Sequence, residues 1–174
     1  MNHKIILGID PGTEKSAYVF MIGLKIIKAG YVENSLMLYR VQDSNYDICA
    51  VEGVRSFGKK VPKGNTTLIT CEFAGILYQA ARSMGKAASI LYPNTSSAEG
   101  IRCIRAYLCG KVNSTKGEVK KVVKLALPGC WGEKRKQGPL YLEVDGKQKD
   151  HKIRAAAVVL TYQGSEQYQK ECMK

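Results

Sequence analysis

Acidic residues are scarce in this sequence, which has 15 Asp and Glu against 27 Lys and Arg in 174 residues. The formal net charge is therefore +12, which is large for a chain of this length. Such an excess of positive charge indicates a polyanionic partner, most often a nucleic acid. Solubility alone, or a lysine-rich source, would also account for the charge, so composition by itself does not decide.

Zinc-site spacing is absent as well. The six cysteines form no C-x-x-C pair, and the only histidines are His3 and His151, so the usual zinc-binding patterns are excluded. Neither a secretory signal nor a disulfide-like framework is recognisable, and we therefore expect a reducing, cytoplasmic environment. Apolar runs of transmembrane length are lacking too, so we expect no membrane partner.

One carboxylate stands out near the start of the chain. Residues 5–9 form a mostly apolar, β-branched run of strand length, which ends in Asp10 and is followed at once by Pro11 and Gly12. An Asp at the end of a buried strand is costly to desolvate unless something pairs with it, and a divalent cation is the obvious partner. Asp-Pro-Gly is also common turn chemistry, so an ordinary turn residue is the alternative.

A second carboxylate repeats this pattern. Residues 48–51 are a fully apolar run, and Glu52 ends it. Because open α/β sheets place ligands outside the carboxyl ends of their strands, two such residues in one small domain predict a paired site. The alternative is a Glu that ends its strand facing solvent.

The remaining pattern predicts a single α/β domain spanning residues 1–174, with a strand meander followed by helices. We expect strands at residues 16–24, 25–32 and 88–92, and helices at residues 66–84, 94–108, 114–127 and 151–162. Residues 35–42 predict a short helix or turn. Residues 128–150 are rich in Gly, Lys, Gln and Pro, and they predict an irregular excursion.

Basic residues concentrate in two places. Residues 55–65 read as a mobile basic loop suited to gripping phosphates, with Arg55, Lys59 and Lys60. Phe57 within it has two readings, stacking on a base or anchoring the loop to the core. The two later helices and their connection form the second group, and we interpret it as a binding face that includes Arg105, Lys111, Lys116 and Lys120.

Taken together, the sequence resembles the RuvC family of Holliday-junction resolvases, within the RNase H-like nuclease fold. Five segments carry the resemblance in order and spacing: residues 8–12 (Gly-Ile-Asp-Pro-Gly), 50–52 (Ala-Val-Glu), 92–93 (Tyr-Pro), 115–119 (Thr-Lys-Gly-Glu-Val) and the helix at 151–162. The resemblance implies an RNase H-like mixed five-stranded sheet flanked by helices. An insertion near residues 129–149 is less typical of bacterial members and suits a phage or other divergent member, whose location would be the host cytoplasm.

The resemblance also implies roles for single residues. Asp10 and Glu52 correspond to the first two metal ligands, and Lys116 to a lysine near the scissile phosphate. Arg105 lies where the family often has another lysine, and the helix at 66–84 corresponds to a homodimer interface. The family has an aromatic residue shortly after the Glu, to contact junction bases; here Arg55 lies at that position and Phe57 follows two residues later.

The departure from the family lies at the last helix. Members carry Asp-x-x-Asp or His-x-x-Asp before an Ala-rich run, whereas this chain has His151 and then Arg154 in place of the final acid. Asp150 is adjacent and is the candidate substitute. We expect two Mg²⁺ ions per site, with Mn²⁺ able to replace them, held by Asp10, Glu52 and either Asp150 or His151. His151 is alternatively a general base.

The sequence thus predicts a Mg²⁺-dependent endodeoxyribonuclease that acts as a homodimer and makes paired nicks in four-way DNA junctions, in recombination and repair. Arg154 motivates an alternative from another class, a catalytically impaired junction-binding protein. A third possibility is a nuclease of the same fold that acts on branched or flapped DNA or on RNA–DNA duplexes.

Overall fold

The protein is organised around one five-stranded sheet. The structure, a computed structural model, describes residues 4–54, 65–93, 103–111, 113–128 and 146–164. The strands are β1 (Ile5–Asp10), β2 (Lys15–Ile22), β3 (Lys25–Glu33), β4 (Ile48–Glu52) and β5 (Ala87–Leu91). The helices within the described residues are α1 (Asn34–Asp43), α2 (Asn65–Ser83), α3 (Ile104–Cys109), α4 (Lys116–Ala126) and α5 (Gly146–Gln163).

The sheet is mixed, with strand order β3-β2-β1-β4-β5. β1, β2 and β3 form an antiparallel meander, and β1, β4 and β5 run parallel. This topology confirms the predicted RNase H-like mixed five-stranded sheet. Parallel pairing of β1 with β4 matters for function, because it brings the carboxyl ends of these two strands to the same edge of the sheet.

Helices cover both faces of the sheet. Along β1, Ile6 packs on the side of α5, while Leu7 and Ile9 pack on the side of α1 and α2. This alternation follows from the period of two in a strand, and burial on both faces explains why the run is continuously apolar. The central position of β1 explains why its last residue, Asp10, lies deep in the molecule.

Helix α5 packs closely on the sheet because small residues meet at the contact. A Cβ atom added to Gly8 on β1 would lie 2.6 Å from the Ala155 carbonyl oxygen and would overlap the Val159 side chain. The predicted start of this helix was wrong: it begins at Gly146, not after His151. Asp150 and His151 therefore lie inside the helix, and the last five residues of the predicted irregular excursion, 146–150, are helical.

Helix α4 begins at the predicted cap. The Glu118 backbone N–H donates to Thr115 Oγ1 (3.2 Å), and the Thr115 N–H donates to Glu118 Oε2 (2.6 Å). This capping box fixes the helix start, and with it the position of Lys116. Helix α3 covers only part of the predicted 94–108 helix, since residues 94–102 lie outside the described residues. Most of the predicted insertion at 129–149 also lies outside them.

No helix within the described ranges is long and apolar enough to cross a membrane.

Candidate active site

Two buried carboxylates meet at the edge of the sheet. Ile9 of β1 pairs with Val51 of β4, so the next residues, Asp10 and Glu52, lie side by side at the ends of parallel strands. Both side chains are on the face covered by α5, and the two residues are only 2% and 4% exposed. The predicted convergence of these carboxylates is what the strand register produces. Glu52 therefore does not end its strand facing solvent.

Helix α5 supplies the nitrogen donors opposite these carboxylates. His151 and Arg154 are three residues apart, so they lie on neighbouring turns of one helix face. His151 Nδ1 lies 2.6 Å from Asp10 Oδ2, and the imidazole also stacks on the Tyr31 ring, with 5.6 Å between ring centroids. An ionised carboxylate only accepts hydrogen bonds, so this contact makes Nδ1 the donor, and in a neutral imidazole Nε2 is then the acceptor.

The Arg154 guanidinium lies between the two carboxylates. One terminal nitrogen donates to Glu52 Oε1 at 2.7 Å, and the other lies 3.6 Å from Asp10 Oδ2. The arginine that replaces the family's final acid is therefore turned into the site and not away from it. Within the part of the chain that the structure describes, it is the cation that both acids share.

Burial sets the protonation of this cluster. Burial raises the pKa of Glu52 and the neighbouring charge of Asp10 adds to the rise, while Arg154 opposes it; together they bring the pKa to about 8. Burial also disfavours the charged form of Arg154, but Glu52 and Asp10 outweigh it, so the pKa of the guanidinium rises above its ordinary value. Arg154 consequently stays charged, and Glu52 holds a proton more readily than an exposed glutamate.

The described residues do not fit the predicted pair of Mg²⁺ ions. Across the described ranges, no three His, Cys, Asp or Glu side chains come together in a group able to hold a metal. Glu52 Oε2 is buried without a hydrogen-bond partner among the described residues and has the character of a ligand atom, but Oε1 already binds Arg154. A guanidinium between the two carboxylates repels a divalent cation.

Asp150 has a different partner from the one expected of a metal ligand. Its carboxylate lies 2.7 Å from Lys120 Nζ, and its side chain is 62% exposed. Although it is next to His151 in sequence, it leans toward α4, whereas His151 leans toward β3. The structure thus brings Asp10, Glu52, His151 and Arg154 together and leaves Asp150 at the rim.

A cleft of about 240 Å³ opens beside the carboxylates. Its lining joins Glu52 and Arg154 to three residues of the predicted DNA-binding set, which are Arg105, Lys116 and Lys120. Lys111, also in that set, instead pairs with Glu118 at 2.7 Å. The remaining members, Arg55, Phe57, Lys59 and Lys60, lie outside the described residues. The cleft therefore places three cationic side chains of the predicted set in the same opening as Glu52.

Two supporting features were not predicted from the sequence. Tyr31 lies in register with Ala17, which pairs with Asp10, so a row across three strands places the Tyr31 ring beside His151. Asn34 donates to the Gly12 and Thr13 carbonyls at 3.1 and 3.2 Å and fixes the turn after Asp10. The pairing of the three predicted antiparallel strands could have placed Tyr31 beside Asp10. No sequence pattern indicated that Asn34 would contact the turn after Asp10.

Comparisons with known proteins agree with this architecture. RuvC of Thermus thermophilus is 17% identical with a TM-score of 0.59, over 90% of this chain and 92% of that one. T. thermophilus RuvC in complex with a Holliday junction substrate is 20% identical with a TM-score of 0.60, over 91% and 92%. The yeast mitochondrial Holliday junction resolvase Ydc2 is 12% identical with a TM-score of 0.54, over 97% and 84%.

The sequence matches no family model and no curated protein. At these identities the structural similarity establishes the fold, which is that of the RuvC-like Holliday-junction resolvases, and confirms the resemblance at that level. Activity has to be argued from the site.

Proposed function

We propose that this protein binds four-way DNA junctions and cleaves them as an endonuclease, with Asp10, Glu52 and His151 at the catalytic centre. The observation that carries the proposal is the pair of buried carboxylates beside an imidazole, one of which, Glu52, also lines a cleft with Arg105, Lys116 and Lys120. An acid with a perturbed pKa in a cleft, as Glu52 is, is a frequent mark of catalytic sites. Similarity of the whole fold to junction resolvases supports the choice of substrate.

His151 is the proposed general base. Asp10 accepts a hydrogen bond from Nδ1, and Tyr31 stacks on the ring and helps to hold it. Nε2 is then the nitrogen able to take a proton from an attacking water. Because the side chain is 35% exposed, water can reach it. Asp10 then stabilises the imidazolium that forms, which is electrostatic assistance that needs no movement.

Lys116 and Arg105 are the proposed phosphate contacts. Both line the cleft, and Lys116 is exposed at the first position of α4, where the capping box holds it. A lysine there stabilises negative charge as it develops on the phosphate, and an arginine can bind phosphate oxygens with two nitrogens. Such contacts position the DNA arms without reading their sequence.

A homodimer is the proposed assembly. Helix α2, predicted as the dimer interface, exposes three large apolar side chains, Leu68, Ile69 and Ile76, which are 60%, 42% and 43% exposed. Exposed apolar side chains grouped on one helix support an interaction surface. A symmetric pair of sites would suit paired nicks across a four-armed substrate.

The second candidate function is junction binding without cleavage. Arg154 favours it, because the guanidinium lies between the two carboxylates and offsets part of their negative charge in the described arrangement. The cationic cleft would serve such a protein equally well. Mg²⁺ dependence, with Mn²⁺ as substitute, stays a prediction.

A labelled four-way junction tests the proposal. We expect the wild type to make symmetric paired nicks in Mg²⁺ or Mn²⁺ and to bind the junction in preference to linear duplex, with two protein copies per junction. Asp10→Asn should reduce cleavage at least about 100-fold while binding persists, since the base loses its charged partner. Asp43→Asn, at an exposed position on α1, is the matched control and should cleave normally.

Three outcomes decide between the candidates. Binding without nicks in either metal would favour the non-cleaving protein. Faster cleavage of flaps or RNA–DNA duplexes would retain a nuclease but replace its substrate. Unchanged cleavage by Asp10→Asn would contradict the site itself.

A further inference from the structure

We propose that Arg154 acts as a built-in counter-ion that competes with divalent cations for Asp10 and Glu52 in the DNA-free protein. The inference deepens the proposed function and rests on it for the identity of the site. In this proposal Arg154 acts through Asp10 and Glu52 and controls their affinity for metal, and it does not itself take part in the reaction.

The first argument is geometric. Arg154 reaches both acids with separate nitrogens, at 2.7 Å from Glu52 Oε1 and 3.6 Å from Asp10 Oδ2. These are oxygens that a hard cation would need. A divalent ion that binds Glu52 Oε1 must therefore displace the guanidinium from it. At Asp10 Oδ2 the ion meets the more distant Arg154 nitrogen and also His151 Nδ1, which lies 2.6 Å away.

The second argument is electrostatic. Both carboxylates are almost fully buried, where charges interact more strongly than they do in water. The two acids carry at most two negative charges, and Arg154 cancels one of them. A divalent ion approaching the pair consequently meets at most one net negative charge, and less when Glu52 holds its proton, with a positive group beside it.

The third argument is that the competition is reversible. The Arg154 side chain is 37% exposed and lines the open cleft, so it has a path away from the acids. We therefore expect metal binding by the free protein to be weakened and not abolished.

Calorimetric titration of Mn²⁺ into the DNA-free protein tests the inference. Arg154→Gln should bind Mn²⁺ at least tenfold more tightly than the wild type, because the competing charge is gone. Arg154→Lys should gain less than Arg154→Gln, since a lysine keeps the charge but has one nitrogen for two acids. The double variant Asp10→Asn with Arg154→Gln should lose the gain, which locates binding at these carboxylates.

Arg82→Gln is the matched control. Arg82 is exposed in the last turn of α2, and its substitution lowers the net charge by the same single unit. The Mn²⁺ affinity of Arg82→Gln should equal that of the wild type. A gain equal to that of Arg154→Gln would mean that overall charge causes the effect, and would overturn the proposal. Circular dichroism checks folding, and Mn²⁺ should raise the Tm of Arg154→Gln more than that of the wild type.

Wild-type affinity equal to that of Arg154→Gln would overturn the inference. If Arg154→Gln does not fold, Arg154→Lys still decides, since it must exceed the wild type for the inference to stand. The Mn²⁺ affinity is measured independently of cleavage. A tenfold gain in affinity with no nicking by any variant would support the competition and reject the nuclease. Junction nicking with no gain in affinity would support the nuclease and reject the competition.

Discussion

The strand side and the helix side of the site differ in how their geometry is determined. Asp10 and Glu52 come from adjacent parallel strands, and the pairing of Ile9 with Val51 leaves them little freedom. His151 and Arg154 come from α5, whose position depends on packing against the sheet. Strand register thus fixes the acids, whereas helix placement decides which groups face them.

This difference explains where the charges end up. Three polar residues of α5 have different partners: Asp150 contacts Lys120, His151 contacts Asp10 and Tyr31, and Arg154 lies between the acids. A small rotation of the helix would exchange these roles. The helix side is accordingly the part of the site where a departure from the family pattern has the greatest chemical consequence.

The largest expected effect concerns the strand side and pH. Glu52 holds its proton up to about pH 8 when folded, against an ordinary value of 4.5. Its contribution to stability is fully present below about pH 4.5 and is lost as pH rises to about 8, because the folded state binds the extra proton. At about 1.4 kcal/mol per pH unit, this amounts to at most a few kcal/mol.

Glu52→Gln should remove this dependence, since glutamine is neutral throughout. Urea unfolding of both proteins in EDTA, between pH 4.5 and 8, measures the difference. We expect the free energy of unfolding of the wild type to fall relative to that of the variant as pH rises. Parallel curves would mean that Glu52 is ionised in the folded protein and that Arg154 compensates its burial fully.

The strand side was largely predictable from sequence, and the helix side only in part. A continuous apolar run that ends in an acid identifies both the strand and its last residue, so Asp10 and Glu52 were found. The start of α5 was missed because residues 146–149, Gly-Lys-Gln-Lys, have no apolar periodicity to mark a helix. The departure at Arg154 was visible, but its pairing with both acids depends on tertiary placement.

A smaller effect is expected from forcing the two sides apart. Gly8→Ala places a Cβ atom 2.6 Å from the Ala155 carbonyl oxygen, which belongs to the α5 backbone and cannot rotate away. Overpacking of this kind costs about 1–3 kcal/mol. The helix must also move relative to β1, so junction cleavage should fall more than stability alone explains.

Gly75→Ala is the matched control for this substitution. Gly75 is exposed within α2, and a Cβ atom there meets no described atom within 4 Å. Replacing a glycine inside a helix with alanine should stabilise the protein by about 0.5–1 kcal/mol. Chemical denaturation measures the change in the free energy of unfolding for each variant. Changes of opposite sign would support close packing of α5 on β1, and changes of equal sign would contradict it.

The smallest expected effect comes from the rim of the helix side. Lys120 and Asp150 form an ion pair whose side chains are 38% and 62% exposed, and such pairs contribute about 0–1 kcal/mol. A double-mutant cycle with Lys120→Met and Asp150→Asn should give a coupling energy in that range, which decreases at high salt.

The Asp150→Asn substitution also tests whether Asp150 belongs to the rim or to the centre of the site. If Asp150 is only a rim residue, Asp150→Asn should leave the Mn²⁺ affinity of Arg154→Gln unchanged. If the predicted ligand role is correct, Asp150→Asn should remove that affinity as fully as Asp10→Asn does, and α5 would have to turn Asp150 away from Lys120 to bind the ion.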